Sequence, residues 1–358
     1  MKNLIIEYKE NEKLIESISL NTYDLIKKLL SKEKIQSFTY RIKNIESLEK
    51  KINSKKKYDY LNEVTDIIGF RVITYLNSDV DKIFTIINEN FVIDNKNTVD
   101  KRNLHYNEFG YRSLHVVFSY NEKRISLPEY VNCNKYKYEM QIRTVLQHAW
   151  AEIEHDLGYK TELQIPDEYK RTFYKISMLL EYADDEFEKI TKQIKLYKNN
   201  VEKKFKDEKF DLPLNRETLR SYLLENKNIE EINNNIKLNG YNYLEIKTID
   251  AIDFAFAVDK LIFVGVDSID KLNNKIEIYK NILPACIDVF LQELEGQNRK
   301  DGRFEWSVPI FYLINIILSE KDNDFRINFF KKFNLIDQDQ TIIKGLDGIK
   351  KVLKEHNF

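Results

Sequence analysis

The sequence has little of what disulfide-rich, cysteine-metal or loop-rich proteins need. Only 2 cysteines, Cys133 and Cys286, occur in 358 residues. This excludes a disulfide framework or a cysteine metal cluster and suits a reducing cytoplasm, where we expect the protein to reside. With 9 glycines and 5 prolines, long regular elements are expected. Charges interrupt the first eight residues, so we expect no signal peptide. No apolar run is as long as a membrane span.

Charge is nearly balanced over the chain but unevenly placed. The net charge is −1, which argues against a uniformly basic nucleic-acid-binding surface. Residues 41–57, however, contain seven basic residues and only two acidic ones, Glu46 and Glu49. The basic residues are Arg41, Lys43, Lys50, Lys51, Lys55, Lys56 and Lys57. This local excess could hold a polyanion, or it could be the solvated end of a lysine-rich helix.

Alternation of strand and helix patterns over about residues 30–205 predicts an α/β (mixed α+β) domain. Strand patterns occur at 37–43, 66–75, 111–120 and 135–144, rich in β-branched and aromatic residues. Helical periodicity covers 1–37, then resumes at Val145 and continues through residue 204. We therefore expect a central mixed sheet flanked by helices in residues 1–205, and a mainly helical domain over residues 206–358. Pro213 and a possible N-cap at Asn215 mark the start of the second domain's helices.

Two short stretches place polar side chains on strand faces. In residues 136–144, Glu139, Gln141 and Arg143 share one face with Lys137, while apolar residues occupy the other. In GYRSLH, at 110–115, Tyr111 and His115 share a face with Ser113. If the two strands pair, these side chains line one cleft. Strand-end ion pairs alone would be the structural alternative.

Charged residues upstream extend this cleft. Asp66 begins a buried strand pattern that also contains Arg71. Burying either charge costs free energy unless the side chain is paired or faces a ligand. A bulge at Gly69 would bring the two to one side. Asp66 and Glu139 suit a Mg²⁺ ion held by few protein groups and by substrate phosphates. Basic residues nearby would neutralise a triphosphate, the combination that phosphoryl-type transfer needs.

The chain resembles the synthetase domain of RelA/SpoT-type alarmone synthetases over about residues 30–165. Five pieces carry the resemblance in order: RIK followed by Ser47 and Lys51, then DIIGFR, GYRSLH, EMQIRT and HAWAEIEHDLGYK. The resemblance implies a nucleotidyltransferase-like fold and a Mg²⁺-dependent pyrophosphokinase. Such an enzyme transfers the β,γ-diphosphate of ATP to the ribose 3′-hydroxyl of GDP or GTP, forming (p)ppGpp.

The resemblance also implies roles for single residues. Arg41 and Arg71 would sandwich adenine, and Lys43, Ser47 and Lys51 would hold ATP phosphates. Asp66 and Glu139 would bind Mg²⁺, with Glu139 as the base for the attacking hydroxyl. The acceptor side is implied as a set: Tyr111 stacking on the acceptor base, supported by His115, Gln141 and Arg143.

One position departs from the family pattern. Relatives that use guanine nucleotides usually carry a lysine three residues before the Gly of GYRSLH, and here that residue is Asn107. Lys101 or Arg102 could compensate. Otherwise the acceptor could be the 3′ end of tRNA, as in toxic relatives that act as growth-arrest or defence factors. An inactive nucleotide-binding regulator is a third reading, against which the intact Asp66 and Glu139 argue.

The remaining signals are weaker. His148, Glu152 and His155 fall on one helical face, which indicates a polar face more than a metal triad. With only 5 histidines and no upstream histidine cluster, we expect no alarmone hydrolase domain. Residues 206–358 carry no recognisable chemistry, so regulation, oligomerisation and a scaffold role stay open, as does a homo-oligomer.

Overall fold

The computed structural model of the chain describes residues 2–55, 57–100, 102, 113–159, 167–238, 242–243, 254–295, 303–304, 307–335 and 339–358. They form two compact units, Met1–Gln193 and Ile194–Phe358. The expected division at 205/206 stays a prediction. The contacts divide the chain earlier because Val201 and Phe205 belong to the core of the second unit.

The first unit is built on a mixed sheet. Its strands are β1 (Ile35–Ile42), β2 (Ile68–Thr74), β3 (Val92–Ile93), β4 (Val99–Asp100), β5 (Leu114–Ser119) and β6 (Tyr138–Thr144). The order is β1-β2-β6-β5-β3, with β4 also paired to β5. β2 and β6 are parallel, and the other pairs are antiparallel. This confirms the expected mixed sheet.

Helices flank this sheet. They are α1 (Lys2–Glu10), α2 (Glu12–Leu29), α3 (Ile45–Lys55), α4 (Asn77–Asn90), α5 (Glu122–Ile125), α6 (Val145–Tyr159) and the 40-residue α7 (Asp167–Lys206). The single helix expected over 1–37 is in fact two, which meet at Asn11 and end at Leu29. Ile15, Ile18 and Ile26 of α2 are fully or almost fully buried, so its apolar stripe faces the core as amphipathic helices require.

The strand faces follow the alternation in the sequence. On β6, Tyr138, Met140 and Ile142 are completely buried, and Glu139 and Gln141 are only partly so. Tyr138 stacks against Phe118 of β5, with ring centroids 5.4 Å apart. One face of the sheet is therefore an aromatic and aliphatic core, while the other is free to carry charged groups.

The second unit is mainly helical, as expected. Its helices are α8 (Arg216–Glu225), α9 (Lys227–Leu238), α10 (Phe254–Phe263), α11 (Ile269–Tyr279), α12 (Leu283–Glu295), α13 (Val308–Ser319), α14 (Asn323–Lys332) and α15 (Asp339–Glu355). Two short strands, β7 (Asn242–Tyr243) and β8 (Arg303–Phe304), pair in parallel. Asn215 caps α8 through its side-chain oxygen, which accepts from the backbone N–H groups of Glu217 and Thr218.

Close helix packing holds the second unit together. α13 is buried along almost its whole length. Where α12 meets α15, a Cβ on Gly345 would lie 2.6 Å from Cδ2 of Phe290, so only glycine fits there. Within the described residues, no helix combines the length and the apolar character that crossing a membrane requires.

Candidate active site

The polar face of the sheet gathers most of the residues singled out in the sequence. Gly69 pairs with Glu139 and Arg71 with Gln141 across the parallel strands. On β5, His115 lies directly opposite Gln141 of β6. On β1, Arg41 lies opposite Gly69 of β2. The described end of GYRSLH, residues 113–115, thus lies beside EMQIRT, with Leu114 and His115 on β5 paired to β6. Tyr111, Asn107 and Lys101 lie outside the described residues.

The expected position of Asp66 was wrong. β2 starts at Ile68 and runs in continuous register with both neighbours through Gly69, so there is no bulge in that strand. Asp66 instead lies in the turn before β2. The turn brings it to the site because the Lys43 N–H donates to the Ile67 carbonyl, 2.9 Å away. Asp66 therefore reaches the site from the strand's entrance, while Arg71 reaches it from the strand itself.

Gly69 has a different role from the one expected. A Cβ there would lie 3.5 Å from both Cγ and Nε of Arg41, an ordinary contact distance. The Arg41 side chain therefore extends across β2 at this point. Arg41 and Arg71 are diagonal neighbours on antiparallel strands, a relation that separates Cα atoms by about 7–8 Å.

Two lysines flank Asp66. Nζ of Lys43 lies 3.0 Å from Oδ2 of Asp66, and Nζ of Lys51 lies 2.7 Å from Oδ1. All three side chains are less than one fifth exposed, so water screens these pairs less than surface ion pairs. Ser47 lies one turn before Lys51 on α3 and is exposed, with its backbone N–H donating to Asn44 Oδ1 at 2.8 Å.

Glu139 is held by different partners. Its Oε1 lies 3.2 Å from Nδ1 of His115 and accepts a hydrogen bond from Nε2 of Gln141 at 3.5 Å. Burial alone would raise the pKa of Glu139. The hydrogen bond and charge of His115, followed by Gln141 and Lys51, outweigh that cost and lower the pKa to about 2. Glu139 is therefore ionised at all physiological pH values.

Glu152 on α6 contacts two arginines of the site, Arg71 and Arg143. Its Oε1 lies 3.1 Å from Nη1 of Arg71, 3.5 Å from Nη2 of Arg143 and 3.4 Å from Nδ1 of His148. Burial, and then the charge of Arg143, lower the pKa of His148. The ring is then neutral at neutral pH, so Glu152 is shared by the two guanidinium groups.

The position of Glu152 was not recognised from the sequence as part of the site. Only its spacing of four residues from His148 hinted at a shared face. Among the described residues, no cluster of three potential metal ligands occurs, although the side chain of His155 is not among them. Arg143 itself is almost fully buried, behind the open part of the site.

Some of these residues line one open pocket. Its volume is ≈ 520 Å³ counted to its solvent mouth, within the range of small-molecule sites. Asp66, Glu139, Arg41 and Arg71 all contribute to its wall. The lining residues are Thr39, Tyr40, Arg41, Asp66, Gly69, Phe70, Arg71, Glu139 and Gln141. The arrangement can bind a flat, polyanionic molecule next to two carboxylates.

Arg102, a candidate to replace the missing lysine at position 107, is engaged elsewhere. Its Nη2 lies 2.9 Å from Oδ2 of Asp100 and its Nη1 lies 2.8 Å from Oδ1 of Asp81 on α4. Hydrogen bonding to Asp100 raises the pKa of Arg102 despite its burial. Two aspartates thus already compensate its charge.

Comparison with known proteins bears on this segment. Residues 40–164 match the family model described as "Region found in RelA / SpoT proteins". The GTP pyrophosphokinase YjbM of Bacillus subtilis (strain 168) is 29% identical over 165 residues, which cover 45% of this chain and 74% of YjbM. The GTP pyrophosphokinase YwaC of the same organism is 24% identical over 209 residues, which cover 53% of this chain and 93% of YwaC. These matches confirm the resemblance of the first unit to RelA/SpoT-type synthetases.

Solved structures were also matched. The small alarmone synthetase 1 from Bacillus subtilis is 23% identical, with a TM-score of 0.42, over 52% of this chain and 95% of that chain. A GTP pyrophosphokinase family protein from Streptococcus pneumoniae is 28% identical, with a TM-score of 0.42, over 52% of this chain and 92% of that chain.

Proposed function

We propose that this protein is an ATP-dependent pyrophosphokinase that transfers the β,γ-diphosphate of ATP to the ribose 3′-hydroxyl of GDP or GTP. The observation that carries the proposal is that Asp66, Glu139, Arg41 and Arg71 all line one pocket, with Lys43 and Lys51 on Asp66. Both curated relatives are named GTP pyrophosphokinases, which supports the guanine nucleotide as acceptor.

The arginines and lysines of the site are assigned to ATP, the donor of the diphosphate. Arg41 and Arg71 both line the pocket, and a guanidinium group can stack on the face of an aromatic ring. Glu152, which does not line the pocket, pairs with Nη1 of Arg71 at 3.1 Å and restrains the guanidinium group. Lys43 precedes α3, Ser47 lies in its first turn, where helix geometry favours phosphate, and Lys51 lies one turn further along the helix. We assign these three residues to the ATP phosphates.

Asp66 and Glu139 fit Mg²⁺ as a donor set. Both supply carboxylate oxygens, and the low pKa keeps Glu139 ionised. Mg²⁺ is bound in proteins by one or two carboxylates together with substrate phosphates. When bound, the ion would neutralise charge on the transferred diphosphate. Lys43 and Lys51, which neutralise Asp66 in the free protein, would then pair with phosphates.

The reaction forms a bond between the acceptor 3′-oxygen and Pβ of ATP, and breaks the bond between Pβ and the oxygen bridging it to Pα. AMP leaves, and the hydroxyl proton is released. With its pKa near 2, Glu139 is a weak proton acceptor. It would accept a hydrogen bond from the 3′-hydroxyl and orient it, and a loose phosphoryl-transfer transition state needs little more from a base.

The second candidate acceptor is the 3′ end of tRNA. Two observations favour keeping it: the lysine expected before GYRSLH is Asn107, and Arg102 is held by Asp81 and Asp100. Arg102 is therefore less able to replace the phosphate contact that a lysine at position 107 would make. The inactive-regulator alternative is disfavoured, because both carboxylates line the pocket.

A single assay separates these functions. The protein is incubated with γ-labelled ATP, Mg²⁺ and one acceptor at a time: GDP, GTP or deacylated tRNA. We expect label on GDP or GTP and none with Glu139→Gln. Label on tRNA alone would replace the guanine-nucleotide proposal with tRNA modification. Label on no acceptor, while ATP still binds, would leave only the regulator.

A further inference from the structure

Lys137, immediately before β6, is a charged neighbour of Glu139. The residues on either side of it, Tyr136 and Tyr138, are buried, whereas Lys137 and Glu139 are only partly so. Because side chains alternate along an extended chain, Lys137 lies on the same side of the sheet as Glu139. Two residues of extended chain separate their Cα atoms by about 6.6 Å.

The contacts of Lys137 show in which direction its side chain extends. Its Nζ lies 2.6 Å from Oδ2 of Asp94, in the segment between β3 and β4. The Asp94 N–H donates to the Val117 carbonyl at 2.8 Å, and Oγ1 of Thr98 accepts from the Val117 N–H at 3.1 Å. Val117 is itself paired with Glu139 across β5 and β6. The Lys137 side chain therefore crosses β5, and its ammonium group lies about two strand spacings, or ~10 Å, from the backbone of Glu139.

Positive charge thus lies on both sides of Glu139. In the sheet, β6 is flanked by β2 on one side and β5 on the other. Lys43 and Lys51 pair with Asp66, just before β2, and are assigned to the phosphates of ATP. Lys137 extends over β5, on the opposite side. A nucleotide whose 3′-hydroxyl is next to Glu139 carries its 5′-phosphates across the ribose ring from the reacting oxygen, so Lys137 is placed for the acceptor and not for ATP.

Asp94 does not depend on Lys137 alone. Its Oδ1 and Oδ2 also accept hydrogen bonds from the backbone and side-chain nitrogens of Asn97, at 3.2 and 2.8 Å. The Lys137 and Asp94 side chains are 40% and 19% exposed, so water reaches the ion pair and opening it costs little. A lysine ammonium is a compact charge on a flexible stem, which can turn from the carboxylate to a phosphate. Arg102, in contrast, is held by two aspartates at once.

We propose that Lys137 binds a 5′-phosphate of the acceptor nucleotide and leaves Asp94 when that nucleotide enters. The proposal rests on the proposed use of GDP or GTP as acceptor. It supplies a cation for the phosphate contact that is missing because Asn107 replaces a lysine. It also makes the phosphates of the acceptor a determinant of affinity, since a hydrogen bond between two charged groups is stronger than one between neutral groups. Guanosine, which has no phosphate, should therefore bind more weakly than GDP or GTP.

The first experiment measures how Lys137→Met changes the use of acceptors. Methionine keeps an unbranched side chain and removes the charge. With ATP saturating, we expect KM for GDP and GTP to rise at least about tenfold, while kcat and the KM for guanosine change by less than about twofold. Lys137→Arg keeps the charge and should raise KM for GDP by less than about threefold. A rise in KM that is as large for guanosine as for GDP would overturn the proposal, because it would indicate a role in the fold of the site only.

Lys135→Met is the matched control. It removes the same charge two residues earlier, from a lysine that is exposed. We expect its KM for GDP to stay within about twofold of the wild-type value, because general attraction by net charge is weak next to a direct contact. An effect as large as that of Lys137→Met would contradict a defined phosphate contact at Lys137.

Equilibrium binding separates this proposal from the proposed reaction. Calorimetric titration with GDP in the absence of ATP measures acceptor binding without transfer, and we expect Lys137→Met to raise Kd at least about tenfold. If the wild type binds GDP in this way but transfers no diphosphate to it, the proposed reaction is wrong and Lys137 remains a phosphate ligand. If the wild type transfers diphosphate to GDP and the substitution changes neither KM nor Kd, the role of Lys137 alone is refuted. A wild type that binds no GDP would refute both.

Discussion

At the scale of single residues, the two carboxylates of the pocket stand in different surroundings. Asp66 lies between two lysines whose amino groups are 3.0 and 2.7 Å away. Glu139 is bonded to His115 and Gln141 on the sheet. The partners of Asp66 are long, flexible cations that can leave it, whereas those of Glu139 are short and fixed by strand pairing. We therefore expect Glu139 to be rigidly positioned and Asp66 to change partners during binding.

Replacing Glu139 by glutamine should abolish diphosphate transfer. Glutamine keeps the size of the side chain but removes its negative charge, which the proposed Mg²⁺ binding and the proposed hydrogen bond to the 3′-hydroxyl both require. We expect a loss of at least about 10³-fold in kcat, with ATP affinity changed by less than about threefold, as measured by calorimetric titration. Glu16→Gln on the exposed face of α2 serves as the control. Activity within tenfold of the wild type would contradict the role of Glu139.

Glu139 also predicts a pH dependence of stability. Folding lowers its pKa from 4.5 to about 2, so the ionised group stabilises the native state fully above pH 4.5. As the pH falls from there toward 2, the unfolded chain takes up the proton first and this stabilisation is lost. In urea titrations the wild type should therefore lose more stability than Glu139→Gln between pH 5 and pH 3. Parallel losses in the two proteins would show that the surroundings of Glu139 do not favour its ionised form.

Lys51 and Lys55 form a matched pair on one helix. Lys51 is largely buried against Asp66, while Lys55 is exposed one turn later. Lys51→Ala should raise KM for ATP at least about tenfold, because it removes the proposed contact with an ATP phosphate. Lys55→Ala should change it by less than about twofold. Steady-state kinetics at saturating acceptor measure both, and equal effects would indicate a diffuse basic surface instead of a defined phosphate contact.

At the scale of elements, the site depends on how β6 ends. Thr144 is fully buried. Its hydroxyl donates to Asp184 of α7 and accepts from the Gln147 N–H at 3.2 Å. Gln147 in turn donates to Asn77 at the start of α4. One threonine thus joins β6 to α4, α6 and α7, and polar networks of this kind define a unique arrangement of the elements they join.

Thr144→Val tests this junction. Valine keeps the shape but leaves the buried Asp184 carboxylate one donor short, which should lower the free energy of unfolding by about 1–3 kcal/mol. Thr85→Val on the exposed side of α4, where the hydroxyl bonds only to the Asp81 carbonyl, is expected to cost less than about 0.5 kcal/mol. Both are measured by chemical denaturation. A Thr144 variant as stable as the Thr85 variant would mean that the junction contributes nothing.

What the sequence could predict is set by the range of the interactions involved. Alternation is local, so the polar face of β6 could be anticipated from residues two apart, whereas the contact of His115 with Glu139 and Gln141 also required the pairing of β5 with β6. The place of Asp66 could not, because the turn that carries it is fixed by a hydrogen bond between Lys43 and Ile67. Glu152 reaches Arg71 only through the packing of α6 on β2, and no sequence period encodes that approach.

At the scale of the whole molecule, the chain has two separate apolar cores. One includes Ile15, Phe70 and Tyr138 of the first unit. The other includes Val201, Phe290 and Leu346 of the second. Each core contains enough buried side chains to stabilise a domain alone. The candidate site, from Thr39 to Glu152, lies entirely within the first unit.

Two cores predict two unfolding events. We expect calorimetry to show two transitions, since each core can be lost separately. A non-hydrolysable ATP analogue with Mg²⁺ should raise the midpoint of only one of them, because a ligand stabilises the unit that binds it. A variant of Gly345 to alanine, which meets Phe290 at 2.6 Å, should lower the other. A single transition that both changes shift together would contradict separate unfolding.

The parallel pairing of β2 with β6 also has a consequence for how the protein is made. Ile68 pairs with Tyr138, so a long loop must close before the strand that follows Asp66 lies beside the strand that carries Glu139. Pairings so distant along the chain form late and slowly. A nascent chain that has not yet emerged beyond Thr144 therefore cannot assemble the pocket, whatever local helices it has formed. During synthesis, the proposed diphosphate transfer would therefore begin only after β2 and β6 have paired.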